Sequence, residues 1–446
     1  MNNLVNDLYR EFTLFRMIGH DAAAFVVMLA CGLAVLTFFG FMGGLFTFLE
    51  RKLAGWTNSR RGPNRVGPYG LVQFAADGVK LILKEDIIPA EADRTFFRFA
   101  PYLVLLGTAL SFVVIPFGPR LIISDLNVGI FYLLATGSFT VVGLIMAGWA
   151  SNNKWALLGG MRSAAQIVSY EIPNALAILV VVLTAGTMSV QGIIRAQAGG
   201  VQHWFLFNSP FCILAFFIYF TTSIAEINRI PFDIPEAESE LVAGYNIEYS
   251  GMRFGVFFVA EFSNIYVVSS IAVICFLGGW QLPGLADAEA LGPIGRKVGE
   301  SLSYPSVLSA LMIAMLPCIW FAWKAMRAFS ADVLRKSALL PSRLVRMNSE
   351  LLLLGLLAAF ATLALLLHWP LRSRLPSIYE LVFQYLVPFL TFFSKAMVIA
   401  FVILLWRWTL PRLRVDQLMS VCWKYMIPLG FVCLVGQGFW LCLFNP

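Results

Sequence analysis

Six carboxylates crowd one short stretch of this chain, residues 226–248, where Arg229 is the one base. The six are Glu226, Asp233, Glu236, Glu238, Glu240 and Glu248. Long apolar stretches lie on either side, and carboxylates placed against a membrane usually mark the path of an ion or a proton. Each loop carboxylate that ionises makes the next one harder to ionise. The cluster therefore predicts a site that stores and passes protons, and a solvated loop face is the alternative.

Two further acids, Glu171 and Glu261, stand alone within apolar stretches. An isolated acid inside a membrane span is costly, and it is functional more often than structural. With Glu226 they predict an acidic path that continues from the loop into the membrane. The spacing of Glu226 and Arg229 also permits an ion pair between these two residues.

The composition is that of a membrane protein. Of 446 residues, 59% are hydrophobic and 13% are charged, whereas a soluble domain carries about 25% charged residues. Ten apolar windows are long enough to span a bilayer. They are residues 25–49, 98–118, 128–150, 166–186, 208–227, 253–279, 305–326, 350–369, 380–406 and 424–444. We expect an all-α polytopic membrane protein forming a single membrane domain over residues 1–446.

The basic residues are distributed unevenly between alternate loops. One set of loops holds 23 of the 32 lysines and arginines and the other set holds 8, while Lys395 lies inside a span. The excess of positive charge predicts that the acidic loop is cytoplasmic and that both termini are periplasmic. The net charge of +7 is explained in the same way, and it does not indicate nucleic-acid binding.

Cysteine and histidine do not indicate a metal centre. The seven cysteines lie in or beside apolar stretches without CxxC spacing, and the three histidines are far apart in sequence. No GxGxxG or P-loop pattern is present. The sequence therefore predicts that the chain itself binds no metal, iron–sulfur cluster or nucleotide.

Residues 71–84 form a second kind of helical pattern. Gln73, Asp77, Lys80 and Lys84 recur on one helical face of an otherwise apolar segment that is too short to span a membrane. This pattern predicts an interfacial amphipathic helix, which either covers the helix bundle or roofs a cavity at the membrane surface. The strip before it, residues 50–70, mixes five basic residues with glycine and proline turns, and such a rigid positive surface suits docking of a partner protein.

Several long motifs resemble one family. They are ERKLAGWTNSRRGPNRVGPYG (50–70), ADGVKLILKED (76–86), MRSAAQIVSYEIP (161–173), EINRIPFDIPEAESELVAGYNIEYSG (226–251), WRWTLPRLRVDQLM (406–419) and CWKYMIPLG (422–430). They resemble the NuoH-type membrane subunit, which holds the quinone chamber of respiratory complex I, the proton-pumping NADH:quinone oxidoreductase. The resemblance covers most of residues 25–280 and 380–446.

The resemblance implies roles for particular residues. It assigns to the quinone chamber Arg51, Arg60, Asp77, Phe232, Glu236, Glu238 and Glu240. It assigns to the proton path Glu171, Glu226, Asp233, Glu248 and Glu261. It makes residues 224–251 the acidic cytoplasmic quinone-site loop, with Arg407, Arg412, Arg414 and Asp416 in a structural and docking turn.

The resemblance also implies partners and a location. Quinone would be the substrate, while FMN and the iron–sulfur clusters would belong to partner subunits. The partners would be the terminal-cluster subunit, the quinone-site peripheral subunit, small membrane subunits and membrane lipids. A bacterial inner membrane would be the location. Because the family has eight spans, residues 303–370 would be an inserted helical pair.

Three other functions are consistent with parts of the sequence. A homologous subunit of an ion-pumping membrane-bound hydrogenase would share many of these motifs. A stand-alone ion transporter would need an internal repeat, and none is visible. A purely structural anchor would leave Glu171 and Glu261 without an explanation. The motifs GPNRVGP and ESELVAGYNIEY favour complex I over the hydrogenase.

Overall fold

Helices make up every regular element in the described part of this computed structural model, which is residues 20–60, 62–67, 70–119, 121–235, 238–281 and 376–444. The first six are α1 (His20–Thr57), α2 (Gln73–Leu83), α3 (Arg94–Val114), α4 (Gly129–Ala150), α5 (Lys154–Ala185) and α6 (Val190–Ala196). The others are α7 (Phe205–Asn208), α8 (Pro210–Glu226), α9 (Glu238–Leu241), α10 (Gly251–Phe276), α11 (Pro376–Thr409), α12 (Val415–Val421) and α13 (Ile427–Phe444). Short 3₁₀ turns lie at Val201–His203 and Gly244–Asn246, and a π-helical turn lies at Cys422–Met426.

The predicted fold class is confirmed. Seven described helical segments are long and apolar enough to cross a membrane, and the 17-residue α8 is a shorter apolar helix. Eight of the ten predicted windows coincide with described helices. The other two, residues 305–326 and 350–369, lie outside the described residues, as does the predicted insertion at 303–370. Apart from the beginning of α11, the described residues belong to one compact unit, residues 1–285 with 387–446.

Helices α4 and α5 form a closely packed antiparallel pair. A Cβ added at Gly148 would lie 2.7 Å from the carbonyl oxygen of Ala156 and 3.2 Å from the Cα of Gly160. The turn between the helices is short because Asn153 caps α5, accepting a hydrogen bond from the Trp155 amide at 2.9 Å. Glycine at these positions lets the two backbones approach, as is typical of helices packed inside membranes.

The same face of α5 seats the 3₁₀ turn that follows the acidic loop. A Cβ at Gly159 would come within 2.7 Å of the Cα of Gly244 and 2.8 Å of the amide nitrogen of Tyr245. Both neighbours are backbone atoms, so a side chain at residue 159 can be accommodated only if the turn moves. Gly159 therefore fixes where the end of the acidic loop lies.

The Gly159→Ala variant is expected to destabilise the protein, because the new methyl group must push the Gly244–Asn246 turn away from α5. Overpacking of this kind costs about 1–3 kcal/mol. The Gly40→Ala variant is the control, since nothing lies within 4 Å of a Cβ at residue 40. The measurement is the midpoint of thermal unfolding of the protein in membranes. Equal midpoints for the two variants would contradict this packing of the turn on α5.

The residues after the turn are held to α3. The Tyr249 hydroxyl donates to the carbonyl oxygen of Phe97 at 3.2 Å, and the two rings stack with centroids 4.1 Å apart. Burial raises the pKa of the Tyr249 hydroxyl, so this group remains a neutral hydrogen-bond donor. The segment that leads into α10 is thereby fixed beside the first turn of α3.

Helix α2 confirms the helical pattern predicted at residues 71–84. On its polar face, Asp77 accepts hydrogen bonds from Arg51 of α1 at 2.5 Å and from Gln73 at 3.0 Å. None of its residues is buried, and Ile82 and Leu83 are 66% and 80% exposed. An exposed apolar face of this kind suits a helix at the lipid interface. The interfacial location of α2 stays a prediction.

The end of α10 remote from the acidic loop is held by Lys395 of α11. The Lys395 ammonium donates to the carbonyl oxygens of Leu277, Gly279 and Gln281 at 2.8, 3.0 and 2.7 Å. It also lies 4.4 Å from the ring centroid of Trp204. Leu277 caps α10 and the other two residues follow it. The C-terminal end of a helix carries partial negative charge, so a cation is well suited to this position.

Helix α12 and the π-helical turn pack against the middle of α5. The Tyr170 hydroxyl donates to the carbonyl oxygen of Leu418 at 3.0 Å, and the Cys422 thiol donates to the carbonyl oxygen of Ser169 at 3.1 Å. These two contacts join α5 to the C-terminal helices beside Glu171.

Candidate functional site

The loop that leaves α8 turns sharply after Glu226. Asn228 has a left-handed backbone, φ 52°, a conformation that asparagine tolerates better than most residues. The Gln166 side chain of α5 lies inside this turn, with its Nε2 atom 2.7 Å from the carbonyl oxygens of both Ala225 and Phe232. The start of the acidic loop is therefore folded around one buried amide.

Arg229 is the centre of a buried ion-pair network. Its Nη1 atom lies 2.7 Å from Oε2 of Glu50 in α1, and its Nη2 atom lies 3.0 Å from Oε1 of Glu261 in α10. The guanidinium also stacks on Phe262, 4.1 Å from the ring centroid. The side chain of Arg229 is only 4% exposed, so its charge is screened by these partners rather than by solvent.

The network continues into α11, since Arg407 also forms an ion pair with Glu50. Glu50 thus lies between two guanidinium groups, one from the acidic loop and one from the last turn of α11. The expected pairing of Glu226 with Arg229 is wrong. Helix α8 ends at Glu226 and the chain then turns away, so the helical spacing that would bring the two side chains together does not extend to Arg229.

Glu226 is bound instead by an amide from α5. Asn174 Nδ2 donates to Glu226 Oε2 at 3.0 Å, and Thr222 donates to Asn174 Oδ1 at 3.3 Å. A Cβ at Gly137 of α4 would lie 3.3 Å from Glu226 Oε1, so this carboxylate reaches across to α4. The next residue of α4, Ser138, donates to Glu171 Oε1 at 3.5 Å. Glu226 and Glu171 therefore both lie beside the same turn of α4.

A small polar cavity of about 30 Å³ lies between Glu226 and Glu261, and both residues line it. Its other polar lining residues are Thr108, Thr140, Asn228, Tyr245 and Asn264. One water needs about 10–15 Å³ of such space. The cavity therefore has room for about two waters, which would have several polar partners. Hydrogen-bonded water is thus sterically compatible with the space between the two acids.

Phe232 and Asp233 of the acidic loop are held from different sides. Phe232 is 4% exposed and its ring centroid lies 5.5 Å from that of Tyr170. Asp233 forms an ion pair with Arg412 at 2.9 Å, and the Leu413 amide donates to the carbonyl oxygen of Pro231 at 3.0 Å. The residues after α11 thereby fix the outer side of the loop.

The remaining predicted residues lie around this core. Arg51 pairs with Asp77, and Arg60 is exposed three residues after the end of α1. Glu240 pairs with Arg162 at 2.7 Å and its side chain is 54% exposed. Glu248 accepts from Asn153 Nδ2 at 2.7 Å, at the α4–α5 turn. Glu236 and the side chain of Glu238 lie outside the described residues.

Sequence reasoning missed four residues of the site. Glu50 stands at the end of the first apolar window, where the basic residues that follow it mask the signal of a single acid. Gln166 and Asn174 are polar residues two helical turns apart in an apolar span, with Tyr170 between them on the same face. That spacing is a usable signal. The fourth, Asn264, lines the same cavity as Glu226 and Glu261.

Nothing in the described ranges groups three histidine, cysteine or acidic side chains as a metal would need. The site is therefore built from carboxylates, guanidinium groups and amides, which can hold, move and stabilise protons and charges. Buried acids and ion pairs on membrane helices define a class of membrane proteins that couple the movement of ions or protons to another event.

Comparison with known proteins identifies the family. The family model described as NADH dehydrogenase matches residues 29–366 and 344–437. The H subunit of NADH-quinone oxidoreductase from Anaeromyxobacter dehalogenans is 43% identical over 422 residues, covering 95% of this chain and 84% of the relative. The corresponding subunit of Chlorobaculum tepidum is 39% identical, covering 95% and 94%, and that of Chlorobium luteolum is 38% identical, covering 99% and 95%.

The chain therefore belongs to the NADH dehydrogenase family of membrane subunits, and the resemblance predicted from its motifs is confirmed. Its relatives are subunits of an enzyme complex. It is an integral membrane subunit by its helices and its family.

Proposed function

We propose that this chain forms the membrane side of the quinone chamber in a bacterial NADH:quinone oxidoreductase, together with the first part of its proton path. The names of its relatives support the quinone reductase over a hydrogenase. The partners would be the terminal-cluster subunit, the quinone-site peripheral subunit, small membrane subunits and membrane lipids. The FMN and the iron–sulfur clusters would belong to partner subunits, and quinone would be the substrate. The membrane would be the inner membrane, with the acidic loop in the cytoplasm and both termini in the periplasm.

The chamber lies, in this proposal, at the acidic loop. Reduction of a quinone to a quinol takes two electrons from a partner and two protons, so the chamber must supply protons and tolerate a changing charge. Phe232 and the pairs Asp233–Arg412 and Arg51–Asp77 would shape it. Glu236, Glu238 and Glu240 would form its acidic surface, and the exposed Arg60 would face the docking partner.

The proton path would run from the chamber into the membrane through Arg229. A change of charge in the chamber alters the field on the Arg229 guanidinium, which is shared between Glu50 and Glu261. A carboxylate whose ionic partner moves away or closer changes its affinity for protons. Protons would then pass from Glu261 across the polar cavity to Glu226 and on to Glu171, with Asp233 and Glu248 at the loop end.

The polar cavity between Glu226 and Glu261 is the single observation that carries this proposal. Glu226 and Glu261 both border this space, which has room for about two waters. The energies involved are also compatible. Moving one charge against about 150 mV costs about 3.5 kcal/mol, and loss or gain of an ion pair changes the ionisation free energy of a carboxylate by a similar amount.

The experiment neutralises each of the two acids in the whole complex. The Glu226→Gln and Glu261→Gln variants are expected to lower proton pumping at least tenfold, because a neutral amide cannot take up and release a proton. The Glu85→Gln variant is the control, since Glu85 is exposed and outside the path. The measurements are NADH-driven quinone reduction and pH-gradient formation in membrane vesicles.

Electron transfer from NADH to a soluble artificial acceptor reports assembly and normalises both measurements. Full quinone reduction with full pumping in both variants would contradict the proposed path. Hydrogen evolution without quinone reduction by the purified complex would instead favour the hydrogenase function.

A further inference from the structure

Gln166 holds together three separate points of the acidic loop. Its Nε2 atom lies 2.7 Å from the Ala225 carbonyl oxygen, 2.7 Å from the Phe232 carbonyl oxygen and 3.1 Å from Asn228 Oδ1. Gln166 is 2% exposed. An amide nitrogen surrounded by three oxygens must be the donor end of the side chain, so Gln166 acts on this loop only by donating hydrogen bonds.

The three acceptors belong to different parts of the site. The Ala225 carbonyl is in the last turn of α8, where carbonyls lack helical partners, and it is next to Glu226. Asn228 lines the polar cavity and has the left-handed backbone that turns the chain. Phe232 packs on Tyr170, one turn along α5 from Gln166. A single amide therefore fixes the position of the chamber residue relative to the membrane acid.

The loop has few other contacts that could do the same. Its internal backbone hydrogen bonds, such as Phe232 N to Arg229 O at 2.7 Å, fix the turn but do not attach it to α5. Arg229 and Arg412 attach it to α1, α10 and the segment after α11. Asn174 of α5 binds the Glu226 side chain, whereas Gln166 of the same helix binds the backbone of the loop at Ala225 and Phe232 and the side chain of Asn228.

We propose that Gln166 is a positioning residue for quinone reduction, which presents Phe232 to the quinone by tying its backbone to the end of α8. The inference rests on the proposed chamber function of this loop. When the amide donates to both carbonyls, the distance between Phe232 and Glu226 is fixed. Without this donor the loop relaxes and the quinone meets a chamber of altered shape, although the acids themselves are unchanged.

The test uses the assembled complex with two variants of different shape. The Gln166→Leu variant removes the donor and keeps an apolar side chain of similar length. The Gln166→Glu variant keeps the shape more closely but points a carboxylate oxygen at three acceptors. We expect the KM for quinone to rise about tenfold with Leu and further with Glu, because loss of a donor to buried acceptors weakens binding by about that factor. If Gln166 only filled space, the Gln166→Glu variant, which keeps the shape more closely, would raise the KM for quinone less than the Gln166→Leu variant.

The matched control is Gln437→Leu, which removes a buried amide from α13. Gln437 is 0% exposed and bonds to Ser209 and Thr184, away from the loop. Its loss is expected to lower heat stability without changing the KM for quinone. Electron transfer to a soluble artificial acceptor measures assembly in every variant, so poor assembly of one Gln166 variant leaves the other to decide.

A Phe232→Ala variant separates the inference from the function on which it rests. If Phe232→Ala raises the KM for quinone and Gln166→Leu does not, Gln166 has no positioning role, although the result still supports the proposed chamber function of the loop. If neither variant changes the KM, the loop is not the chamber and both proposals fall. A higher KM in both, with Gln437→Leu unchanged, supports the positioning role.

Discussion

Replacing Arg229 with methionine is expected to leave little assembled complex in the membrane. Arg229 carries a buried positive charge between Glu50 and Glu261. Removing one member of a buried ion pair costs about 3–5 kcal/mol, because the remaining charge loses its partner in a medium that solvates it poorly. Glu50 keeps Arg407, so most of the cost arises at Glu261, whose side chain is 14% exposed.

Two further variants test this explanation. The Arg229→Met, Glu261→Gln double variant is expected to recover much of the assembly, because it removes the carboxylate that lost its guanidinium. The control is Arg253→Met, whose partner Asp86 is 41% exposed and is solvated when left alone, so its loss costs about 1 kcal/mol or less. The measurement is the amount of complex in membranes, from electron transfer to an artificial acceptor. Wild-type levels in Arg229→Met alone would contradict the network.

The Lys395→Met variant is expected to lower the heat stability of the complex strongly. It leaves the carbonyl oxygens of Leu277, Gly279 and Gln281 without the ammonium that now binds all three. Each buried acceptor left unsatisfied costs about 1–3 kcal/mol, and the cost of desolvating the lysine offsets part of that sum. A net loss of about 2–4 kcal/mol results from the two effects together.

The control for this variant is Ser394→Ala in the same helix. The Ser394 hydroxyl is exposed and donates within its own helix, to the Thr391 carbonyl at 3.0 Å, so its loss is expected to change little. The measurement is the temperature at which half of the quinone reductase activity is lost in membranes. Equal temperatures for Lys395→Met and the wild type would show that the end of α10 is held in another way.

The sequence was sufficient for the membrane helices but not for their pairings. Apolar windows locate α3, α4 and α8 within a few residues because lipid forces every backbone group of a span into helical hydrogen bonds. The start of α5 was misplaced by 12 residues, since Lys154, Arg162 and Gln166 lower the local hydropathy although the segment is helical. The capping residue Asn153, rather than hydropathy, marks where this helix begins.

The candidate residues were also predicted more easily than their partners. Glu171 and Glu261 are conspicuous because an acid is rare within an apolar stretch. Their neighbours come from elsewhere in the fold, Ser138 from α4 and Arg229 from the acidic loop, and no spacing in the sequence specifies such contacts. Lys395 was visible as a charge in a span, yet its partners are backbone carbonyls, which every residue has. The sequence therefore shows which side chains carry a buried charge, but it does not show which backbone carbonyls bind that charge.

The three hydrogen bonds that Lys395 donates to backbone carbonyls affect where the length of this chain can vary. Lys395 fixes the residues that follow α10 as far as Gln281, so the position of Glu261 does not depend on the length of the polypeptide between Gln281 and α11. Lengthening a connection adds only about 0.6 kcal/mol of closure entropy for each doubling. Evolution can accordingly add or delete sequence after residue 281 while the buried acids upstream keep their alignment.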